Sequence, residues 1–370
     1  MQEHDGEAMR SAEGVRVLEV GRHIGVASAG LALTALGADV VQVRLPDRAV
    51  PAAEATYYDR GRRTLHGEPG GDLGELASLA DIVLTDLADP ELAAMGVPAD
   101  AGGLRAGPDA QVLVSVRSLG RTGPNRDFRM TDLTEWASTG LANVTRRPHP
   151  GDDERYVPVL PPGHQPQALS GLAAATAALV GRRWARMRQE PVVADVSVQE
   201  VAAAMLHGIF PNFVWNGIVT GHPTSASTAL GMLLPAMDGD IYVRTLDPRQ
   251  WDALMAWVDD QAVEAIGADP DSRLANNDAL CLLLGEWTST QHRVELLTEG
   301  QRRHIPIALP RSLDDVLAWQ QLRARDVWRT VDLDGSAVEA PRLPLLEPPG
   351  WRVTAGAPAE EVAARWRSAT

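Results

Sequence analysis

Residues 15–43, VRVLEVGRHIGVASAGLALTALGADVVQV, carry the pattern that decides the fold. A short β-rich run is followed by a turn containing glycine, an apolar helix and a second β-rich run, DVVQV, which together predict a β-α-β unit. Residues 80–87 (ADIVLTDL) and 110–116 (AQVLVSV) repeat the strand signature after helix-like stretches. This order predicts an α/β fold with a Rossmann-like parallel sheet covered by helices on both faces.

The first turn, GRHIGVASAG, argues against a nicotinamide cofactor. It lacks the G-x-G-x-x-G spacing of dinucleotide-binding proteins. The second strand also ends in Arg44, where those proteins carry an acid that holds the ribose. NAD is therefore not expected.

The rest of the chain predicts a second, smaller domain. Residues 168–188 predict a long alanine-rich helix, and residues 191–198 (PVVADVSV) predict another central strand. From about residue 227 the pattern changes to a hairpin around MDGD, followed by short helices. A chain of 370 residues is also longer than one core usually organises. We predict a large domain over 1–226, a small α+β domain over 227–325 and a C-terminal return to the large domain over 326–370.

Composition and charge exclude several classes of protein. Acidic residues outnumber basic ones 49 to 34, so the long-range field repels nucleic acid and anionic membranes. All 34 basic side chains are arginine, and without lysine there is no Schiff-base anchor for pyridoxal phosphate (PLP). The histidines are scattered and Cys281 is the only cysteine, so no metal site is predicted. No run reaches the ~18 apolar residues that would span a bilayer, and a cytoplasmic protein is expected.

Residues 120–136, GRTGPNRDFRMTDLTEW, place Asp132 where a helix could begin. Asp132 and Glu135 fit a D-x-x-E capping box, in which the first side chain caps the helix amides. The sequence alone favours this capping role. A helix N-terminus also stabilises a carboxylate by about 0.3–1 kcal/mol, so the same position suits a reactive anion.

Several segments, taken in order, resemble the family III CoA-transferases, the group that includes formyl-CoA and carnitine CoA-transferases and α-methylacyl-CoA racemase. The resemblance covers most of the chain. It implies an interlaced homodimer in which each chain has a Rossmann-like large domain and a small domain, with the active site where they meet. The segments are RVLEVGRHIGVASAGLALTALGADVVQV, DRGRRTL, VLVSVRSLGRTGP, TDLTEWASTGL, VVADVSVQE, HPTSASTALGMLLPAMDGDIYV and HIPIALPRSLDDVLAWQQLRARDVW.

The resemblance implies covalent catalysis by Asp132, which lies where the family carries its catalytic aspartate after a G-x-T-G-P turn. In the family reaction this carboxylate attacks an acyl-CoA thioester to give a mixed anhydride. The released thiolate then forms an aspartyl-CoA thioester, from which CoA passes to a carboxylic acid. The implied protein is a transferase with CoA as cosubstrate, and its partners are a second copy of itself, a small-molecule acyl-CoA and a carboxylic acid.

The resemblance also implies which residues bind CoA. Arg60 and Arg63 in DRGRRTL match a basic segment near the nucleotide, where guanidinium groups bind phosphate. Arg121 and Gly120, in the glycine turn, would meet the pyrophosphate or the thioester. His23 lines the turn after the first strand. A solvated surface explains the arginines equally well, and a tight turn explains the glycine.

Several positions depart from the family pattern. Residues 85–92, TDLADPEL, place acids where the family contacts adenine. The acid/base pair of the racemases corresponds to Thr131 and Gln167, and a glutamine cannot take a proton. Asp247 matches a racemase acid but equally a helix N-cap, and His164 in PPGHQPQ is a candidate substitute base or an incidental loop residue.

Two alternatives to CoA transfer therefore stay open. One is an isomerase (a racemase) or a dehydratase that acts at the α or β carbon of a thioester, with Asp132 as the base. The other is a divergent biosynthetic enzyme on this scaffold that no longer uses CoA.

Overall fold

The computed structural model describes residues 11–45, 51–66, 73–149, 152–208, 210–217, 219, 231–333, 335–343 and 358–368. The strands are β1 Arg16–Val20, β2 Asp39–Arg44, β3 Arg63–His66, β4 Ile82–Thr85, β5 Val112–Arg117, β6 Arg146–His149, β7 Asp152–Pro158, β8 Val192–Ser197, β9 Gly231–Ala236, β10 Gly239–Arg244, β11 Ile307–Ala308, β12 Trp328–Leu333 and β13 Ser336–Pro341.

The α-helices are α1 Ile24–Ala35, α2 Ala52–Tyr58, α3 Gly74–Leu79, α4 Asp89–Ala94, α5 Asp132–Ser138, α6 Leu141–Val144, α7 Gln165–Arg188, α8 Val198–Ala204, α9 Phe210–Asn216, α10 Pro248–Val258, α11 Gln261–Ile266, α12 Pro270–Ala275, α13 Asn277–Thr288, α14 Arg293–Arg302, α15 Leu313–Ala318, α16 Gln320–Ala324 and α17 Ala359–Ser368. A 3-10 turn, Met205–Gly208, follows α8. The chain divides into two compact units, Met1–Val219 with Asp326–Thr370, and Thr220–Arg325.

A six-stranded sheet organises the first unit. Its order is β3-β2-β1-β4-β5-β8, and every neighbouring pair is parallel. This is the strand order of the Rossmann fold, whose topological switch point lies between β1 and β4. The predicted α/β class, with a Rossmann-like sheet in the larger unit, is confirmed.

The strands are buried on both faces, and β1 shows how. Val17 packs into a core with α1 and α7, whereas Leu18 and Val20 point to the opposite face and pack with α3 and α17. The alternation follows from the period-2 geometry of a strand. Each fully buried valine or leucine contributes about 1.5–3 kcal/mol of hydrophobic stabilisation, which is why these strands are nearly continuous apolar runs.

Helices α1 and α7 pack closely because a glycine lies at their contact. A Cβ added at Gly171 would come within 2.6 Å of the Gly25 carbonyl oxygen and 2.9 Å of the Ala29 amide nitrogen. Helix α7 begins at Gln165, three residues before the predicted start, because the first turn of a helix tolerates Pro166. The first turn of α7 therefore carries Gln167 next to the beginning of α1.

A fully buried charged cluster lies beneath α2. The Arg62 guanidinium forms an ion pair with Glu19 on β1 and another, at 3.2 Å, with Asp59 at the end of α2. Gln42, opposite Glu19 in the sheet, donates from Nε2 to Glu19 Oε1 at 2.8 Å and to Asp59 Oδ1 at 2.9 Å. Arg62 also donates to the Tyr58 carbonyl oxygen. Buried charges persist only when paired in this way, and the cluster fixes the end of α2 against the sheet.

The second unit has its own core, although the predicted boundary between residues 226 and 227 lies outside the described residues. Strands β9 and β10 form the antiparallel hairpin expected around MDGD, and β11 pairs with β10. Apolar side chains of this sheet pack against α10, α11, α13 and α14. Across the described ranges, no helix combines the length and the apolar character needed to cross a bilayer.

Candidate active site

Asp132 is the first residue of α5, at the end of the loop that follows β5. The expected D-x-x-E capping box is wrong, because Thr131 is the N-cap and its backbone N–H donates to Thr134 Oγ1 at 2.7 Å. The cap has moved by one residue from the sequence prediction. As a result, neither the Asp132 nor the Glu135 carboxylate is used in capping.

The two oxygens of Asp132 have different surroundings. Oδ2 lies 3.4 Å from His164 Nδ1. Oδ1 is buried, and no described residue forms a hydrogen bond with it. The side chain is 17% exposed, so the carboxylate is mostly desolvated. Burial raises the pKa of Asp132, and with the nearby negative charge of Glu135 it outweighs the opposing effect of His164.

His164 links Asp132 to α2. Its Nε2 lies 3.2 Å from Glu54 Oε1, and its Nδ1 faces Asp132. The residue is the N-cap of α7 and has a left-handed backbone with φ of 50°. Non-glycine residues rarely adopt this conformation, and it directs the ring toward the two carboxylates. The structure thus brings the candidate base into contact with the candidate nucleophile.

Glu135, one turn after Asp132, is fully buried and accepts three hydrogen bonds. Ser118 Oγ donates to Oε1 at 2.6 Å, Gln167 Nε2 donates to Oε2 at 2.7 Å, and His23 Nε2 lies 2.8 Å from Oε1. Burial alone would raise the pKa of Glu135, but the hydrogen bonds from His23, Ser118 and Gln167 bring it below the usual range. Gln167 therefore serves as a donor to a second carboxylate of the site.

His23 lies at the carboxyl end of β1, beside the switch point of the sheet. Its Nδ1 accepts the Gly25 amide hydrogen at 3.1 Å, so its Nε2 carries the hydrogen donated to Glu135. Burial works against protonation, but the hydrogen bond and negative charge of Glu135 prevail and raise the pKa of His23. Asp86, at the end of β4, accepts the Arg22 amide at 2.8 Å and adds to the negative charge around the ring. Ligands of open α/β sheets bind at this edge.

The residues expected to bind CoA occupy different surroundings. Arg60 is buried, stacks over Tyr57 with its guanidinium carbon 4.1 Å from the ring centroid, and donates to the Tyr57 carbonyl oxygen. Arg63 is partly exposed on β3, 3.7 Å from an Asp39 oxygen. The solvated-surface reading is therefore wrong for Arg60, whose side chain is inside the fold.

The glycine turn is held by acids. Gly120 has a φ of 79°, a conformation that glycine adopts without strain. The Arg121 amide donates to Asp195 Oδ2 at 2.9 Å. The Arg121 guanidinium lies 3.0 Å from Asp89 Oδ2, and Arg117 pairs with the same carboxylate at 2.6 Å. Asp89, one of the acids in TDLADPEL, thus pairs with two arginines.

Asp247 belongs to the second unit and caps α10. Its Oδ1 accepts the Arg249 amide at 2.8 Å, Pro248 follows in the first turn, and the Arg249 side chain pairs with it at 2.7 Å. These hydrogen bonds lower the pKa of Asp247 to about 2. The N-cap reading of this residue is thus the one observed. Within the residues that the structure describes, no group of three or more His, Cys, Asp or Glu could hold a metal ion.

The functional residues missed by sequence reasoning include Glu54, Glu135 and Ser118, which donates to Glu135. Glu54 lies in the run AAEATYY, which carries no catalytic pattern. Glu135 was assigned only to capping, although an acid one turn after a candidate nucleophile points to the same helix face and could have signalled the network. Both reach the site through contacts with residues far away in sequence.

Comparison with known proteins assigns the chain to a family. The model of CoA-transferase family III matches residues 12–361. The succinate–glutarate CoA-transferase of Agrobacterium fabrum is 25% identical over 369 residues, covering 90% of this chain and 88% of the relative. Subunit BbsE of the succinyl-CoA:(R)-benzylsuccinate CoA-transferase of Thauera aromatica is 25% identical over 367 residues, covering 89% and 86%.

Solved structures share the fold. A CaiB/BaiF family protein from Brucella suis superposes with a TM-score of 0.74 at 21% identity, covering 97% of this chain and 99% of that one. Rv3272 from Mycobacterium tuberculosis gives a TM-score of 0.75 at 19% identity, covering 96% and 98%. Because the family model spans nearly the whole described chain and the fold agrees, the resemblance seen in the sequence is confirmed, and the protein is an enzyme of CoA-transferase family III.

Proposed function

We propose that the protein transfers CoA from an acyl-CoA to a carboxylic acid through a covalent intermediate on Asp132. One observation carries the proposal: the Asp132 side chain is 17% exposed, which leaves its carboxylate within reach of a ligand, and its buried Oδ1 has no hydrogen-bond partner among the described residues. A carboxylate oxygen without donors is a better nucleophile than one that accepts several hydrogen bonds. The raised pKa of Asp132 also reflects an anion that is poorly stabilised at rest.

The reaction proceeds by four nucleophilic attacks on an acyl carbon, and each attack expels one leaving group. Asp132 Oδ1 attacks the thioester carbon, the C–S bond breaks, and a mixed anhydride and CoA thiolate form. The thiolate adds to the aspartyl carbon and releases the donor carboxylate, leaving an aspartyl-CoA thioester. The acceptor carboxylate displaces the thiolate to form a second anhydride, and the thiolate attacks the acyl carbon of that anhydride. Acyl-CoA leaves and the Asp132 carboxylate is restored.

Binding of CoA draws on groups around this edge of the sheet. The family implies CoA as the cosubstrate. Arg63 is partly exposed on β3 and is the predicted phosphate ligand that retains solvent access. Arg121 is paired with Asp89, so we assign it to fixing the glycine turn rather than to the pyrophosphate. The turn itself has left-handed glycines at 120 and 123, of which Gly120 is buried and Gly123 is exposed.

Trapping of the intermediate tests the proposal. The names of the two relatives suggest dicarboxylic substrates, so succinyl-CoA with glutarate or succinate as acceptor is the first pair of a broader panel. Hydroxylamine should convert the activated carboxyl to a hydroxamate, and borohydride should reduce an aspartyl thioester, both on the peptide that carries Asp132. Asp132→Asn should remain unmodified. Transfer of CoA by wild-type protein without modification of Asp132 would rule the covalent route out.

Proton transfer at the α carbon is the competing reaction, and the geometry disfavours its two-base form. Asp132 and His164 are in contact at 3.4 Å, so they lie on the same side of any bound carbon. Racemisation needs an acid and a base on opposite faces. Solvent deuterium uptake into the acyl-CoA, without transfer of CoA, would favour this reaction over ours.

We also propose that the protein is a homodimer. The outer face of α7 exposes an apolar stripe in which Val180 is 62% and Met187 72% exposed. These side chains recur at helical spacing on one sector of the helix, which is unusual for a face in contact with water. Light scattering of the wild-type protein should give twice the monomer mass. The double variant Val180→Glu, Trp184→Glu should lower this mass, whereas Arg186→Glu, which lies off the stripe, should leave it unchanged. The stripe consists of Leu169, Leu172, Val180, Trp184 and Met187.

A further inference from the structure

His164 touches a reacting group of the proposed mechanism, yet that mechanism assigns it no role. Its Nδ1 lies 3.4 Å from Asp132 Oδ2 without a hydrogen bond to any described residue, and its Nε2 lies 3.2 Å from Glu54 Oε1. Glu54 is on α2 and Asp132 on α5, so the ring joins carboxylates from two separate elements. Its left-handed backbone, with φ of 50°, is uncommon for a histidine and holds the ring in this bridge.

The two contacts determine which atoms carry hydrogen. An ionised carboxylate only accepts hydrogen bonds, and an imidazole nitrogen donates only when it carries a hydrogen. The contact with Oδ2 is therefore attractive when Nδ1 is protonated, and the contact with Glu54 when Nε2 is protonated. Both contacts are attractive at once only when the ring carries a hydrogen on each nitrogen, and that ring directs an N–H toward each carboxylate.

This arrangement gives the two oxygens of Asp132 separate tasks. Oδ1, which is buried and has no donor among the described residues, is the attacking oxygen once the bound thioester reaches it. Oδ2, facing Nδ1, then becomes the carbonyl oxygen of the anhydride and of the aspartyl thioester. Whenever a thiolate or a carboxylate adds to the aspartyl carbon, the negative charge develops on Oδ2. A hydrogen-bond donor at that oxygen stabilises the addition.

We propose that His164 is the oxyanion donor of the aspartyl exchange, oriented by Glu54, and that it holds Oδ2 so that Oδ1 alone is exchanged. The inference rests on the proposed covalent function of Asp132. No bond to His164 forms or breaks: the carbonyl electron pair moves onto Oδ2 as the nucleophile adds, and returns as the leaving group departs. His164 supplies only the N–H that stabilises the intermediate charge.

Heavy-oxygen labelling tests which oxygen is exchanged. In each turnover Oδ1 leaves with the donor carboxylate, and an oxygen of the acceptor replaces it, whereas Oδ2 stays. With succinyl-CoA and succinate labelled with heavy oxygen, the Asp132 peptide of wild-type protein should gain one heavy atom, however many turnovers occur. In His164→Asn, which tolerates the left-handed backbone, the carboxylate should rotate between turnovers and both oxygens should become labelled.

Rates provide a second readout. Removing one oxyanion donor typically lowers kcat by roughly a hundredfold or more, so His164→Asn should show that loss with little change in the KM for acyl-CoA. His304→Asn is the matched control, because His304 is exposed, lies in the other unit and has a similar φ of 58°. Glu54→Gln, which leaves the ring in place but removes its anion, should give a smaller loss and partial double labelling.

Each outcome has a distinct meaning. Single labelling and near-normal kcat in His164→Asn would overturn the inference and leave the covalent mechanism intact. Double labelling in wild-type protein would show that His164 does not hold Oδ2. Turnover without any label on Asp132 would contradict the proposed function itself. If His164→Asn fails to fold, the labelling of Glu54→Gln decides, since unchanged single labelling and kcat in that variant would contradict the role of the bridge.

Discussion

Asp132 and Glu135 lie one turn apart on α5, and the fold treats them in opposite ways. Glu135 is fully buried and receives hydrogen bonds from Ser118, Gln167 and His23. In the part of the chain that the structure describes, Asp132 faces His164 and its Oδ1 has no donor. The pKa of Glu135 is lowered and that of Asp132 is raised, although burial pushes both upward. The difference lies in the number of donors that reach each carboxylate.

The comparison shows how one helix can carry a structural acid and a reactive one. Donors from the ends of β1 and β5 and from the start of α7 converge on Glu135, which therefore ties three elements together. Asp132, one turn earlier on the helix, is partly desolvated and receives few hydrogen bonds. This placement makes its carboxylate reactive. Stability and reactivity should therefore respond separately to substitutions at the two positions.

The largest expected effect is the loss of activity in Asp132→Asn. The amide is nearly isosteric but cannot form the anhydride, so kcat should fall by roughly ten-thousandfold or more. Coupled assay of CoA transfer measures this loss, and thermal unfolding should show a fold as stable as wild type. Asp127→Asn, at an exposed position in the same loop, is the control and should keep full activity. Residual activity within tenfold of wild type would remove Asp132 from the role of nucleophile.

Glu135→Ala should mainly destabilise the protein. It leaves His23, Ser118 and Gln167 without their acceptor in a buried site, and removing one partner of such a cluster costs about 3–5 kcal/mol. Urea unfolding of the first unit should report this loss. Glu264→Ala, exposed on α11, should change stability by less than about 0.5 kcal/mol. Equal stability of the two variants would mean that Glu135 does not tie the three elements together.

The same comparison separates activity from stability as a function of pH. The folded-state pKa of Glu135 is depressed, so its charge stabilises the fold above the ordinary glutamate value of about 4.3 and loses this effect only as the pH falls through the lower folded value. The pKa of Asp132 is raised above the ordinary aspartate value of about 3.9. On acidification the nucleophile therefore takes up its proton at a higher pH than an ordinary aspartate does. On acidification, kcat/KM should therefore fall reversibly before the protein unfolds. Coincident loss of rate and of circular dichroism would contradict this order.

The sequence predicted the fold better than it predicted the site, for a physical reason. Strands such as β1 and β5 are continuous apolar runs, and a β-α-β unit is specified by neighbours within about thirty residues. Asp132 was found only through family resemblance, because its local pattern fits a cap. Glu54 and the hydrogen bonds of Glu135 depend on residues that approach only after folding, such as Gln167 at the start of α7. No local pattern encodes such contacts.

The pairing of Asp89 teaches the same lesson. The sequence places this acid in a segment where the family contacts adenine, whereas in the fold it pairs with both Arg117 and Arg121. The arginines lower the pKa of this carboxyl against the effect of its burial. The sequence showed the acid, but its charge partners, Arg117 at the end of β5 and Arg121 in the turn that follows, lie outside the segment.

The smallest effect is expected from substitution of Asp247. This substitution tests whether an acid of the second unit takes part in the chemistry beside Asp132 and Glu135 of the first. In the structure Asp247 caps α10 through the Arg249 amide, and asparagine is an equally good N-cap. Asp247→Asn should therefore keep both Tm and kcat, while Asp247→Ala should lower Tm slightly and leave kcat unchanged. If both variants lost activity with normal Tm, a cap could not explain it, and the carboxylate of Asp247 would join Asp132 in the chemistry.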